Sequence, residues 1–225
     1  MNTIAIINQK GGVAKTTTAH AIGAGLALKG YRVLFVDLDA QGNLSYAMAA
    51  TRGDYSALDI LQGKAPAQKA VQTTTQGDII PSTPALAGAD AILTATGKEY
   101  RLVEALTPLQ GAYDYCLLDT PPALGVLTVN ALAACTGAII PAQADVYSLH
   151  GIAQLYDTLQ TIKRYCNPTL KVLGIVLTRY NGRTILSREV AEQIEQTAAQ
   201  LDTRLYRSYI RECIAVKEAQ AVKQS

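Results

Sequence analysis

A short apolar run, Thr3-Ile4-Ala5-Ile6-Ile7, gives way to Asn8-Gln9-Lys10-Gly11-Gly12-Val13-Ala14-Lys15-Thr16-Thr17-Thr18, and a helix-favouring stretch from Ala19 to Lys29 follows at once. A strand, a glycine turn and a helix start in this order commit the chain to a strand–helix unit from its first residues. The first N–H groups of a helix lack intrahelical acceptors and sit at the positive end of its dipole, so they favour an anion. This is the setting in which a phosphate-binding loop works. In it, Lys15 reaches the β- and γ-phosphates and the Thr16 hydroxyl ligates Mg²⁺. The segment points to binding of a nucleoside triphosphate.

Apolar runs alternate with helix-length segments along the rest of the chain. Strands are expected at Thr3–Asn8, Arg32–Asp37, Asp78–Pro81, Tyr115–Asp119, Ala138–Pro141, Lys171–Thr178 and Arg204–Tyr209, and helices over 16–29, 99–109, 126–135, 149–165 and 184–200. The central strands are rich in Val, Ile and Leu without polar alternation, as in parallel strands covered on both faces. The pattern predicts an α/β fold, a doubly wound and mostly parallel sheet, with ligands at the carboxyl ends of the strands. The 225 residues suit one domain; 49% are hydrophobic and 17% charged, which excludes a disordered chain. Ala50–Gln76 is the least patterned part and reads as a surface excursion.

Two further strands end in carboxylates. Val33-Leu34-Phe35-Val36-Asp37-Leu38-Asp39-Ala40-Gln41-Gly42-Asn43 places Asp37 and Asp39 on the same side of an extended chain, where they can orient water and Mg²⁺. Spacing alone leaves open a cap at Asp39 and a salt bridge at Asp37. Tyr115-Cys116-Leu117-Leu118-Asp119-Thr120-Pro121-Pro122 ends in an Asp able to hold Mg²⁺ through a water, and the prolines stop the strand. Cys116, Cys135, Cys166 and Cys213 lack metal-site spacing and read as reduced thiols. There is no secretory leader pattern and no apolar run of the ~18 residues a membrane span needs, so the expected location is cytoplasmic.

The strict phosphate-loop pattern G-x-x-x-x-G-K-S/T fails at Gln9 and Ala14, leaving Lys-Gly-Gly-x-x-Lys-Thr with an extra lysine, Lys10. That loop, the D-x-D-x-Q-G run and the D-x-P-P run resemble the ParA/MinD family of ATPases with a deviant Walker A loop. Leu127–Leu132 and Ile140–Gln143 match as well, and the likeness extends from residue 3 to about 219. It is nearest to the small ParA/Soj branch of DNA-partitioning ATPases. The resemblance implies a single phosphate-loop ATPase domain over 1–225, without an N-terminal helix-turn-helix and without the family's final C-terminal helix. It implies ATP and Mg²⁺ as cofactors, and Lys10, Gly11, Gly12, Val13, Ala14, Lys15, Thr16 and Thr17 as the nucleotide-binding residues. Lys10, Lys15 and Asp39 become the catalytic residues, with Asp39 positioning the attacking water. Thr16, Asp37, Asp39 and Asp119 surround the metal. Lys10 is expected to reach the nucleotide of a second subunit in an ATP-dependent homodimer.

From residue 171 onward nine Lys/Arg face six Asp/Glu, against eleven and twelve before it, an asymmetry that by itself suits a solvated surface. The resemblance implies that Arg179, Arg183, Arg211 and Lys217 bind double-stranded DNA without sequence preference, on the nucleoid, and that a ParB-type centromere-binding protein stimulates slow hydrolysis. Around Tyr209–Ala219 the chain departs from the family, with Arg211 where proline is usual and Ala215 where a second basic residue is usual. Thr178–Tyr180 and Ile210–Glu212 are candidates for the base pocket. A MinD-like membrane-positioning ATPase is the alternative; it needs an apolar face on a C-terminal helix, which Val216–Ser225 does not offer, so no membrane partner is expected.

Overall fold

Residues 33–37 show why this chain makes a sheet with two covered faces. Val33 and Phe35 pack into one apolar cluster with Ile79 and Leu117, whereas Leu34 and Val36 join a larger cluster on the other face, and all five residues of the strand are buried. Successive side chains of a strand point to opposite faces, so a run without polar alternation must be covered twice. The computed structural model describes residues 1–51 and 53–212; Lys217, Cys213 and Val216–Ser225 lie outside them.

Among the described residues seven strands form one sheet: β1 (Asn2–Ile6), β2 (Val33–Asp37), β3 (Gln72–Thr74), β4 (Gly77–Ile80), β5 (Tyr115–Asp119), β6 (Gly137–Ala142) and β7 (Lys171–Leu177), in the order β3-β4-β2-β5-β1-β6-β7. Every pairing is parallel except the β3–β4 hairpin. The helices are α1 (Lys15–Leu28), α2 (Asn43–Ala47), α3 (Ala57–Leu61), α4 (Ala67–Ala70), α5 (Ala89–Ile92), α6 (Arg101–Leu106), α7 (Val126–Ala134), α8 (Val146–Tyr165) and α9 (Ile185–Gln200). Ile22 and Leu26 of α1 pack on one face, while Leu102, Leu132, Leu155 and Ile194 of α6 to α9 belong to the cluster on the other. The expected α/β class, with a doubly wound and mostly parallel sheet, is what the chain adopts.

Helix α1 lies close to the sheet because of one glycine. A Cβ on Gly23 would sit 2.1 Å from the Phe35 ring, and Phe35, the single Phe of the chain, is fully buried. Burying such a ring contributes about 1.5–3 kcal/mol.

Three expectations are corrected. The helix expected over 99–109 is split into a 3-10 turn, α6 and a second 3-10 turn at Thr107–Leu109; Pro108 has no N–H to donate and disfavours helical geometry at Thr107. Arg204–Tyr209 is not a strand. Leu205 bridges Ile175 and Ile210 bridges Thr178, so five residues answer three and the extra pair breaks the ladder. Ala50–Gln76 carries α3, α4 and β3; α3 begins with a capping box in which Asp59 accepts from both the Ser56 N–H and its hydroxyl.

Candidate nucleotide and metal site

The sheet brings three strand ends into register. Ile6 of β1 and Asp37 of β2 both lie opposite Asp119 of β5. The loop after β1 therefore hangs beside two carboxylates that are remote in sequence. Its own shape is set by two left-handed residues, Gly12 at φ 75° and Ala14 at φ 63°. Ala14 stands where the usual loop has glycine, and it adopts the conformation that glycine favours. α1 starts immediately after it, the first bond along the helix being Thr18 N–H to the Ala14 carbonyl. A Cβ built on Gly11 or Gly12 would meet nothing within 4 Å, so the backbone there opens onto free space. That space belongs to a cleft of about 730 Å³ whose walls include Gly11, Gly12, Ala14, Lys15, Thr16, Thr17, Asp39, Tyr46 and Pro122.

Loop anchoring explains the roles of the remaining loop residues. The Val13 side chain is fully buried, and its carbonyl accepts from the Thr178 hydroxyl at the end of β7. The Gln143 amide donates to the Gly12 carbonyl, and the Asn8 amide donates to Pro141 O. Lys15 is 8% exposed, and its ammonium donates to the Lys10 carbonyl. Burial lowers its pKa, against the opposing pull of Asp119 and Asp39. A phosphate beside it would restore the lost solvation by charge pairing.

The carboxylates differ in their surroundings. Asp37 is fully buried, and burial pushes it up to about 6 even though its Oδ2 accepts from the Ser45 N–H and hydroxyl and its Oδ1 from the Asp39 N–H. Asp119 is pushed up to about 8, by burial first and then by the charge of Asp37; Thr16 and Lys15 pull the other way. Both Asp119 oxygens are buried without a hydrogen-bond partner. An orphaned carboxylate beside a threonine hydroxyl and a lysine fits a hydrated divalent cation. Among the described residues no three His, Cys, Asp or Glu side chains gather tightly enough to hold a metal alone, so a cation here needs phosphate oxygens and the Thr16 hydroxyl as ligands. Asp39 lies on the cleft wall, half-buried, with its Oδ1 accepting from the Gln41 N–H.

Lys10 is absent from the cleft wall. Its ammonium is paired with Oδ2 of Asp145 at 2.5 Å, and Asp145 also caps α8 by accepting from the Ser148 N–H. Burial raises the Asp145 pKa, but Lys10 and Ser148 outweigh it and hold the carboxyl below its ordinary value. Asp145 is not among the residues the sequence motifs name. Its signals were an acid just past a strand end and a D-x-x-S run at a helix start.

Arg179, Arg183 and Arg211 line a second cavity, of about 640 Å³, together with Tyr180, Tyr209 and Glu212. The Thr178–Ile210 bridge brings the two base-pocket candidates together. Arg179 is partly spent on an ion pair with Glu212 at 2.9 Å, and Arg211 lies over the Tyr209 ring. Arg183 is exposed. Cys116 and Cys135 are buried, which raises the pKa of both thiols, Cys135 to about 12, and neither is near a metal-ligand set.

The chain is 39% identical over 221 residues to the sporulation initiation inhibitor protein Soj of Bacillus subtilis, which spans 96% of this chain and 86% of that protein. It is 46% identical over 193 residues to the chromosome-partitioning ATPase Soj of Thermus thermophilus, covering 85% and 74%. The chain belongs to the ParA/Soj family. A family model described as an AAA domain matches residues 1–172, the part of this ParA/Soj chain that carries the loop and all three aspartates. Among solved structures, cobyrinic acid a,c-diamide synthase from Mycobacterium smegmatis, with bound ADP and magnesium, superposes with a TM-score of 0.88 at 35% identity, covering 99% of this chain and 92% of that one. Among the described residues no helix is long and apolar enough to cross a membrane.

Proposed function

We propose that this chain is an ATP-driven partition switch: it binds Mg·ATP, dimerises, holds DNA without sequence preference while dimeric, and is released by slow hydrolysis. The observation that carries the reading is the meeting of Lys15, Thr16, Asp39 and the unpartnered Asp119 at three adjacent strand ends, in a chain closely similar to proteins named Soj. The loop N–H groups, Lys15 and Thr16 would cradle the β- and γ-phosphates. Mg²⁺ would supply charge neutralisation on those phosphates, with Thr16 as a ligand and Asp37 and Asp119 acting through water. Asp39 orients the attacking water, a positioning role rather than a covalent one. Lys10 acts in trans: it leaves Asp145 and reaches the phosphates of a second subunit, adding positive charge where negative charge develops.

The cavity between Tyr180 and Tyr209 suits the base, since Thr178, two residues before Tyr180, is hydrogen-bonded to the loop at Val13. The exposed Arg183, with Arg211 and Lys217, would contact DNA phosphates on the nucleoid, and a ParB-type partner would stimulate hydrolysis. The deciding experiment is binding of Asp39→Ala protein to arbitrary duplex DNA with ATP and with ADP across a salt series. Binding with ATP alone that falls steeply with salt supports the switch. Absence of binding in both states, with ATP still bound, excludes the DNA half of the reading. Lys10→Ala should bind nucleotide yet fail to dimerise with ATP; a normal dimer by light scattering would remove the trans role.

A further inference from the structure

The backbone that carries Asp39 is fixed by a closed hydrogen-bond circuit. The Asp39 N–H donates to Asp37 Oδ1 at 3.1 Å, and Asp37 Oδ2 accepts from the Ser45 hydroxyl at 2.7 Å. The Ser45 oxygen in turn accepts from the Ser82 N–H at 2.9 Å, and the Ser82 hydroxyl donates to the Asp39 carbonyl at 2.5 Å. Each hydrogen has one acceptor, and the directions admit no other assignment: the carbonyl and the carboxylate can only accept. Asp39 is thus held on both sides of its residue, by β2 through Asp37 and by the end of β4 through Ser82.

We infer that Ser82 is a positioning residue for hydrolysis: through the circuit with Ser45 it sets where the Asp39 carboxylate stands in the cleft. This rests on the reading of Asp39 as the group that orients water. Ser82 is suited to the task because its mount is rigid. It lies two residues past the end of β4, and the intervening Pro81 carbonyl accepts from the Ala57 N–H at the start of α3. Asp39 itself lies in a turn between β2 and α2, with the Gly42 N–H bonded to its carbonyl from within that turn. Without Ser82 that local turn is the carbonyl's remaining partner, and the tie from Asp39 to the end of β4 is lost. A displacement of about 1 Å at a positioning group costs roughly a hundredfold in rate. The bonds Ser82 makes run to Ser45 and to the Asp39 carbonyl, and neither partner belongs to the phosphate loop, so nucleotide affinity should not share the loss.

The test compares single-turnover hydrolysis of Mg·ATP, affinity for Mg·ADP and thermal stability in the parent, Ser82→Ala, Ser82→Thr, Ser45→Ala, Asp39→Ala and the Ser82→Ala/Asp39→Ala pair. Ser82→Ala should hydrolyse roughly ten- to a hundredfold more slowly, with Mg·ADP affinity unchanged. Ser82→Thr, which keeps the hydroxyl, should restore the rate, and adding Ser82→Ala to Asp39→Ala should cost nothing more. Ser45→Ala should slow hydrolysis likewise. A parent rate in Ser82→Ala, or a loss of rate matched by a loss of Mg·ADP affinity, would overturn the inference while leaving Asp39 in its role. A parent rate in Asp39→Ala would remove that role and the inference with it.

Discussion

Replacing Asp145 by Asn should tighten the proposed ATP-bound dimer. Lys10 has its ammonium against Asp145 in the single chain, and both side chains are about one-third exposed, at 35% and 33%. An ion pair so open to solvent is worth about 1 kcal/mol, well below a buried one. In a two-fold dimer both subunits give up the contact, so the opposing free energy doubles to about 2 kcal/mol, close to a thirtyfold change in the dimerisation constant. Asn removes the charge and keeps the cap of α8, because Asn and Asp serve equally well at that position. The monomer should therefore lose the ion pair alone, about 1 kcal/mol, and not the cap. The assay is sedimentation equilibrium with ATP in an Asp39→Ala background, which keeps the nucleotide intact. Tightening of about tenfold to thirtyfold is expected, smaller at high salt because the broken pair is screened. An unchanged or weaker ATP dimer would refute the reasoning, and so would equal tightening with ADP, since that would reflect surface charge rather than release of Lys10.

Three further outcomes follow from the packing and the charges. Asp119 and Asp37 titrate above the ordinary carboxylate range, near 8 and 6, so between about pH 4 and 8 the folded chain holds more protons than the unfolded one and loses stability as pH rises. Asp119→Asn should then melt above the parent at pH 8.5 without nucleotide and close to it at pH 5; a constant difference in Tm across that range would contradict the assignment. Gly23→Ala pushes a methyl to within 2.1 Å of the Phe35 ring, an overpacking cost of about 2 kcal/mol, which thermal denaturation should register as a fall of roughly 4–8 °C. Ala14→Gly relieves a left-handed alanine at φ 63°, about 1 kcal/mol of strain that the looser unfolded chain partly offsets. Its stability should match or slightly exceed the parent with nucleotide affinity retained, and a clear loss of either would show that the methyl is needed.

The sequence by itself determined most of this architecture. Uninterrupted Val, Ile and Leu runs can be satisfied only by a sheet covered on both faces, and a strand running through a glycine turn into a helix prescribes a phosphate loop. Carboxylates directly after two such runs had to fall at strand ends. Lys15, Thr16, Asp37, Asp39 and Asp119 were legible for that reason: each is named by a local pattern, and the parallel sheet does the gathering. What lacked a local pattern was decided by the tertiary structure. Strand order put Asp119 opposite Asp37, and burial between β1 and β2 then left its oxygens unpartnered and its proton tightly held. The Arg204–Tyr209 strand failed because the segment is two residues too long for the register of β7. Asp145 lies 135 positions from Lys10, and Ser82 lies 43 from Asp39. Such pairs meet only because separate strands end on one rim, and hydrogen bonds that close across a rim leave no periodicity along the chain.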